Sequence, residues 1–242
     1  MVKKHLFRIS APKFWEIHRK ESKYTIHPSS GPHGLEKSVP LSVLVRNYLK
    51  YAKTSREAKK IIYSGKIEID GIPRTDPKFP VGLMDVISIK DTDENFRVFF
   101  NEKGNLIVHK IEKGESSIKP LKIINKTILK KKRLQLNFYD GKNKIVDKDI
   151  YKTSDTMIYD LHKKAFSSHL KFEKGAIVYI MDGKKTGHIG ILDSVSEQRG
   201  TEPARIVLKS GKEKFETLKD YAFVIGKEKS LISIPQENES GK

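Results

Sequence analysis

Residues 39–89, VPLSVLVRNYLKYAKTSREAKKIIYSGKIEIDGIPRTDPKFPVGLMDVISI, decide the fold of this chain because their hydrophobic period changes partway through. From Leu41 to Ala52, apolar residues recur at intervals of three and four, which predicts a first amphipathic helix immediately after Pro40. The later part alternates apolar and polar residues, as a strand does. The stretch therefore predicts two short helices followed by a small antiparallel sheet.

Local signals mark the ends of these elements. The segment Thr54 to Glu57 has the spacing of a capping box, which predicts the start of a second helix, and Ser64-Gly65 predicts its end. Strands are expected at Ile67–Ile69 and Val86–Ile89, with a tight turn at Asp70-Gly71 after the first of them. The proline-rich residues 73–80 predict a stiff, exposed loop.

The polar side of this segment is strongly cationic. Residues 1–90 contain 18 Lys and Arg against 8 Asp and Glu, a balance of +10, whereas residues 91–242 contain 30 against 22, a balance of +8. Charge of this sign and density is typical of a protein that binds a polyanion such as RNA. For any single lysine on the outside of a helix, a solvated surface position is the more common explanation, and it is the set of cations that favours a polyanion. The candidate phosphate contacts in this segment are Arg46, Lys50, Lys53, Arg56, Lys59, Lys60 and Arg74.

Composition narrows the classes of function. With 242 residues, 37% of them hydrophobic, the chain can form two or three small domains. It contains no cysteine, so disulfides and thiolate zinc sites are excluded, and no metal site or cofactor is predicted. The sequence shows no signal-peptide core and no transmembrane segment, and it lacks the bulky apolar faces of membrane-surface helices. A cytoplasmic protein without a membrane partner is expected.

Residues 1–38 are predicted to form a basic N-terminal arm rather than a domain. Cations and aromatic residues alternate along it, and such residues can follow a phosphate backbone and stack on bases. The alternative is that Phe14, Trp15 and Ile17 pack back onto the body. The arm contributes Lys3, Lys4, Arg8 and Arg19 as further RNA-binding candidates.

Two further units follow. Residues 91–172 are predicted to be a mostly β central domain with a hairpin turn at Asp140-Gly141, and the cationic run Lys130–Arg133 is either a phosphate contact or a solvated loop. Residues 173–235 are predicted to be a small, strongly curved barrel because glycines at 183, 187 and 190 permit close backbone approach. Residues 236–242 are acidic and predicted to be disordered.

Several short strings in order along the chain resemble one protein family. They resemble the small-subunit ribosomal proteins of archaea and eukaryotes called S4e, and the chain length is similar to that of archaeal members. The strings are Gly31-Pro32-His33, Arg46 to Ala52, Ile69-Asp70-Gly71 with Arg74-Thr75-Asp76, Met84 to Ile89, Glu94 to Arg97, and Phe223 to Lys227.

The resemblance implies an α+β, multidomain fold. Residues 39–90 would be an S4-type RNA-binding domain of two helices and a small sheet, followed by the β-rich domain, and residues 173–235 would be an SH3-like β-barrel with a KOW motif. The family implies a structural, non-catalytic protein that binds small-subunit ribosomal RNA beside neighbouring ribosomal proteins, without a cofactor or small-molecule substrate. It adds His33, Lys184 and Lys185 to the candidate RNA contacts.

Two other functions remain open at this level. S4-type modules also occur on RNA-modifying enzymes, but residues 91–242 show no nucleotide-binding loop, since Val178 stands where the first glycine of such a motif belongs. The eight histidines are dispersed rather than grouped as metal ligands. The other possibility is a transcription- or translation-associated factor that uses its KOW-type barrel to bind another protein.

Overall fold

A computed structural model describes residues 5–196, 202–211 and 213–235 of the chain. The structure is mostly β, with strands arranged in three five-stranded antiparallel sheets and two two-stranded pairs. Lys3, Lys4 and the acidic residues 236–242 lie outside the described residues, so the predictions made for them stay predictions.

The N-terminal residues pack onto the body instead of extending from it as an arm. Trp15 is only 3% exposed, and its indole Nε1 donates a hydrogen bond to the Ser38 carbonyl at 2.9 Å. The Tyr48 hydroxyl donates to the Phe14 carbonyl at 3.0 Å. These residues bury apolar surface that an extended arm would expose. The alternative prediction, that the aromatic residues of this segment pack onto the body, therefore describes the structure. The elements of this segment are β1 (Leu6–Phe7), β2 (Tyr24–Thr25) and β3 (Ser38–Pro40).

The first predicted helix is shorter and less regular than its apolar spacing indicated. Helix α1 (Leu41–Val43) continues into a single π-helical segment, Leu44–Tyr48, in which the Leu49 amide donates to the Leu44 carbonyl. The helical segment ends because Lys50 adopts a left-handed conformation with φ +58°. The apolar spacing is retained, since this segment is still buried on one side. The hydrogen bond from Leu49 to Leu44 spans five residues, one more than the hydrogen bond of an α-helix.

The second helix forms where the capping box predicted it. Helix α2 (Ser55–Tyr63) begins after Thr54, whose hydroxyl accepts a hydrogen bond from the Glu57 amide, while the Glu57 side chain accepts one from the Thr54 amide. Ser64 is the C-cap, and Gly65 follows with φ +70°, which is favourable for glycine. The predicted start and end of this helix are therefore confirmed.

Two strands within residues 91–172, the range predicted for the central domain, instead complete the sheet of the first module. The strand order is β5-β4-β7-β8-β9, and β8 pairs directly with β7, so residue 90 is not a structural boundary. The large aromatic side chains of β8 are buried in the same core as the helices, which explains this placement. The elements are β4 (Ile67–Ile69), β5 (Ile72–Pro73), β6 (Pro80–Gly82), β7 (Val86–Ile89), β8 (Glu94–Phe100) and β9 (Leu106–Ile111).

A second five-stranded sheet occupies residues 118–170 after a one-turn helix. Its order is β12-β11-β10-β13-β14, with the eleven-residue β10 at its centre. The hairpin predicted around Asp140-Gly141 joins β11 to β12. The elements are α3 (Lys113–Ser116), β10 (Ile118–Ile128), β11 (Leu134–Phe138), β12 (Asn143–Val146), β13 (Thr156–Asp160) and β14 (Ala165–Leu170).

The third sheet is a meander whose last strand returns beside its first, in the order β18-β17-β16-β15-β19. It is fixed to the first module by Tyr179, whose buried hydroxyl donates to the Phe100 carbonyl and accepts from the Phe100 amide, both at 2.8 Å. The elements are β15 (Ile177–Ile180), β16 (Ile189–Ser196), β17 (Arg205–Ser210), β18 (Glu213–Leu218) and β19 (Ala222–Gly226).

One glycine of the loop between β15 and β16 is required by this contact between modules. Gly187 has φ +84°, and a Cβ atom there would lie 2.4 Å from the Asn101 carbonyl carbon. We expect Gly187→Ala to lower the free energy of unfolding by on the order of 3 kcal/mol, because left-handed strain and a backbone clash add. Gly104→Ala is the matched control, since Gly104 has φ +74° with no atom within 4 Å of the added Cβ, and should cost only about 1 kcal/mol. Urea denaturation measures both, and equal losses would contradict the clash.

Candidate nucleic-acid interface

Helix α2 turns its basic residues outward because its apolar residues are needed in the core. Ala58 and Ile62 are fully buried, whereas Arg56, Lys59 and Lys60 are exposed on the opposite side. The helix carries one acidic residue, and its carboxylate accepts backbone hydrogen bonds in the capping box. The helix therefore presents an exposed, predominantly cationic side to solvent.

That acidic residue is Glu57. Hydrogen bonds from the backbone amides of Lys53 and Thr54 lower the pKa of the Glu57 carboxyl. The carboxylate thus lies at the start of the helix and stabilises its cap, rather than forming an ion pair with the cations further along.

The cations before α2 are brought to the same end of the helix by the irregular turn. The Arg46 guanidinium donates from Nη1 to the Ser55 hydroxyl at 2.6 Å and from Nε to the Asn47 side-chain oxygen at 2.9 Å, which fixes it beside the first residue of α2. Lys50 and Lys53 are exposed in the intervening connection. We call this set the cationic face; it consists of Arg46, Lys50, Lys53, Arg56, Lys59 and Lys60.

The cationic face carries no ion pairs among the described residues. Cations on the sheet side of the same module are neutralised instead: Lys66 by Asp91 at 2.6 Å and Lys110 by Glu94 at 2.7 Å. Lys90 likewise pairs with a carboxylate. Unneutralised positive charge is thus concentrated on the helix side of the module, where it is available to an external anion.

Arg74 is a further unpaired cation in the loop after β5. Its guanidinium carbon lies 4.3 Å from the centre of the Phe79 ring, and within the described part of the chain it makes no ion pair. Its backbone amide donates to the Ile67 carbonyl at 3.0 Å, which places Arg74 beyond the C-terminal end of α2. Stacking holds the guanidinium in a defined position without consuming its charge.

The side chains of three predicted RNA contacts instead bind other groups of the protein. Arg8 is 5% exposed and donates to the Glu21 carboxylate at 2.7 Å. The guanidinium of Arg19 donates to backbone carbonyls of the N-terminal segment, including that of Ala11 at 2.8 Å. His33 is 6% exposed beneath the surface. The Nε2 atom of His33 lies 3.0 Å from the Asp85 carboxylate. All three side chains therefore have partners within the protein, and their role as RNA contacts stays a prediction.

The remaining candidates lie far along the chain in an exposed turn. Lys184 and Lys185 occupy the loop between β15 and β16, and neither forms an ion pair with any described residue. The Lys185 ammonium lies 5.8 Å from the centre of the Phe215 ring. The run Lys130–Arg133 is also exposed, at the turn between β10 and β11. Both loops are accessible, but the structure does not bring either of them into contact with the cationic face.

A buried ion cluster, which no sequence pattern predicts, joins the first module to the central sheet. The Lys119 ammonium is 1% exposed and contacts carboxylate oxygens of Asp70 at 2.5 Å, Asp85 at 2.6 Å and Asp140 at 3.5 Å. On the other side of Asp85, His33 Nε2 lies 3.0 Å from the same oxygen. We call Asp70, Asp85, Asp140, Lys119 and His33 the buried ion cluster.

The charges in this cluster stabilise one another. Burial alone would lower the pKa of Lys119, but the three carboxylates raise it above its usual value. Burial would likewise raise the pKa of Asp85, but the charges of His33 and Lys119 and the hydrogen bond from the Gly82 amide lower it below its usual range. Lys119 and Asp85 therefore stay ionised although they are removed from solvent, and their contact joins the central sheet to the first module.

Among the described residues, no group of three or more histidine, aspartate or glutamate side chains is arranged to hold a metal ion. The described helices include none long and apolar enough to cross a membrane.

Three family profiles match successive parts of the chain. Residues 2–36 match the RS4NT (NUC023) domain, residues 39–87 match the S4 domain, and residues 92–166 match Ribosomal family S4e. The matched S4 segment contains the whole cationic face.

Curated archaeal proteins are similar over almost the full length. The chain is 43% identical over 234 residues to small ribosomal subunit protein eS4 of Methanothermobacter thermautotrophicus, covering 96% of each chain. It is 44% identical over 243 residues to the protein of the same name from Methanococcus vannielii, covering 96% of this chain and 98% of the relative. The crystal structure of the 30S ribosomal protein S4e from Thermoplasma acidophilum is 33% identical, with a TM-score of 0.70, and covers 78% of this chain and 95% of that one.

Proposed function

The chain belongs to the ribosomal S4e family, and we propose that it is a structural, non-catalytic protein of the small ribosomal subunit that binds ribosomal RNA. The observation that supports the RNA interface is the cationic face, whose cations form no ion pair among the described residues, whereas neighbouring lysines are paired with carboxylates. Such a face can contact phosphates without first breaking internal ion pairs.

Binding rests on several modest contacts made by modules that pack against one another. The cationic face and Arg74 form the main contact, and Lys184 and Lys185 form a second contact on the third sheet. Lys3 and Lys4 remain candidates at the N-terminus. Because the modules are fixed to one another, the first contact raises the effective concentration of the others. We also propose that the protein contacts neighbouring small-subunit proteins and is located on cytoplasmic ribosomes.

The third sheet is proposed to be an SH3-like barrel with a KOW motif. The return of β19 beside β15 and the glycine-rich loop after β15 support this proposal. Positive φ angles at Gly183 and Gly187 allow that loop to turn sharply, which leaves its two lysines at the surface.

Sucrose-gradient sedimentation tests the proposed function. We expect the protein in lysates of its native cell to comigrate with the small subunit, near one copy per subunit, and to remain there through a high-salt wash, because many tethered contacts must break together. Quantitative immunoblotting of the gradient fractions measures this ratio, with a known small-subunit protein as the reference. A protein present in far less than one copy per subunit, or stripped by salt, would instead be a modifying enzyme or an associated factor.

A further inference from the structure

Tyr63, the last residue of α2, is a large aromatic side chain on the cationic side of the helix. Its side chain is 63% exposed. At 100° per residue, Tyr63 lies 20° from Arg56 around the helix axis, with Lys59 and Lys60 on either side of that line. Residues at three- and four-residue spacing are neighbours on a helix surface, so the ring adjoins both lysines. The core-facing residues of α2 lie on the opposite side, and packing therefore does not explain the ring.

These side chains form a groove of defined chemistry. The groove has a volume of about 480 Å³ and is lined by Ser55, Arg56, Lys59, Lys60 and Tyr63. Its surface is largely apolar, supplied by the tyrosine ring and the aliphatic parts of the long side chains, while the charged ends surround it. An occupant must combine a flat or apolar part with nearby negative charge.

We propose that this groove binds one unpaired RNA base, stacked on Tyr63, with the adjoining phosphates held by Arg56, Lys59 and Lys60. The proposal rests on the proposed function and adds a base-stacking subsite to the phosphate contacts. An unpaired nucleotide has both required parts, a π-face and a phosphate on either side. A base within a regular duplex has no free face to offer, so the subsite selects a bulge, loop or strand end.

Another exposed tyrosine of this module lacks that chemistry and serves as a control. Tyr51 is 39% exposed, but its hydroxyl donates to the Glu94 carboxylate. A carboxylate beside the ring repels an incoming phosphate, and the hydrogen bond holds the ring against its own module. Removal of Tyr51 should therefore leave base stacking unaffected.

The test uses the full chain and two RNA hairpins, one with a single 2-aminopurine bulge and one fully paired. We expect the bulged hairpin to bind more tightly and its 2-aminopurine fluorescence to be quenched. Tyr63→Ala should weaken binding of the bulged hairpin by between about fivefold and about 100-fold and abolish the quenching, without altering the salt dependence. Tyr63→Phe should retain both affinity and quenching, and Tyr51→Ala should behave as the unaltered protein.

Each result separates the base-stacking subsite from the broader function. If neutralising Lys59 and Lys60 weakens binding while Tyr63→Ala does not, the stacking subsite is wrong and the RNA interface stands. If neither change affects either hairpin, the interface itself is wrong on this face, and the groove would serve a neighbouring protein. Equal affinity of the unaltered chain for both hairpins, without quenching, would also overturn the subsite.

Discussion

Replacing Arg46, Lys50 and Lys53 together by glutamate is expected to weaken binding to small-subunit ribosomal RNA on the order of 100-fold at ~0.1 M salt. Each neutralised phosphate contributes roughly 0.7 to 0.9 to the slope of log affinity against log salt, so loss of three contacts should flatten that slope by about two to three. Fluorescence anisotropy with a labelled RNA fragment, measured across a salt series, gives both quantities.

A matched variant separates this face from net charge. Replacing Lys66, Lys90 and Lys110 by glutamate changes the net charge by the same amount, but these lysines are exposed and already paired with carboxylates. It should reduce affinity far less and leave the salt slope nearly unchanged. Equal effects of the two variants would mean that RNA responds only to overall charge, and the cationic face would then have no special role. Circular dichroism confirms that both variants remain folded.

Local signals in the sequence predicted the elements that depend on local chemistry. The start of α2 was visible because Thr54 and Glu57 satisfy each other's backbone amides without help from distant residues. The turn at Asp70-Gly71 could also be predicted locally, because both residues take positive φ angles that aspartate and glycine tolerate. The groove around Tyr63 could also have been found, because Lys59 and Lys60 precede it at helical spacing.

The sequence does not predict contacts that depend on residues distant along the chain. Arg8, Arg19 and His33 have the composition of RNA contacts, but their hydrogen-bond partners within the fold could not be foreseen from neighbouring residues. Lys119 resembles any lysine in a strand, and its carboxylate partners lie 34 to 49 positions away for the two shortest contacts. Sequence patterns indicate where charge lies along the chain, whereas the fold decides which charges are neutralised.

Lys119→Met is expected to cause a large loss of stability, about 3–5 kcal/mol in the free energy of unfolding. Methionine fills similar space but removes the cation that contacts Asp70 and Asp85, and these carboxylates stay largely out of solvent. An uncompensated buried charge costs far more than an exposed one, and total stabilities are only about 5–15 kcal/mol. Chemical denaturation monitored by Trp15 fluorescence and by circular dichroism measures the change, and the buried Trp15 reports on the N-terminal segment.

An exposed ion pair of similar length provides the control. Lys113 contacts Asp93 at 2.6 Å, with both side chains more than two-thirds exposed, and Lys113→Met should cost less than about 1 kcal/mol. Adding Asp85→Asn to Lys119→Met should recover part of the loss, because it removes one of the unpaired charges while retaining a side-chain acceptor for the Gly82 amide. Similar losses for Lys113→Met and Lys119→Met would show that the buried ion cluster contributes no more to the free energy of unfolding than an exposed ion pair does.

The response to acid distinguishes a charge effect from a packing effect. In the unaltered protein the pKa values of Asp85 and Asp140 are lowered, so their contribution to stability is present above the unfolded value of about 3.9 and is lost as pH falls through the folded values. Removal of the Lys119 charge raises both folded pKa values. The stability difference between the two proteins should therefore be full at a pH where Asp85 and Asp140 are ionised in both, and should shrink as pH falls through the raised folded pKa values of the variant. A difference that does not vary with pH would mean that methionine merely packs poorly, because a packing defect does not depend on the protonation of its neighbours.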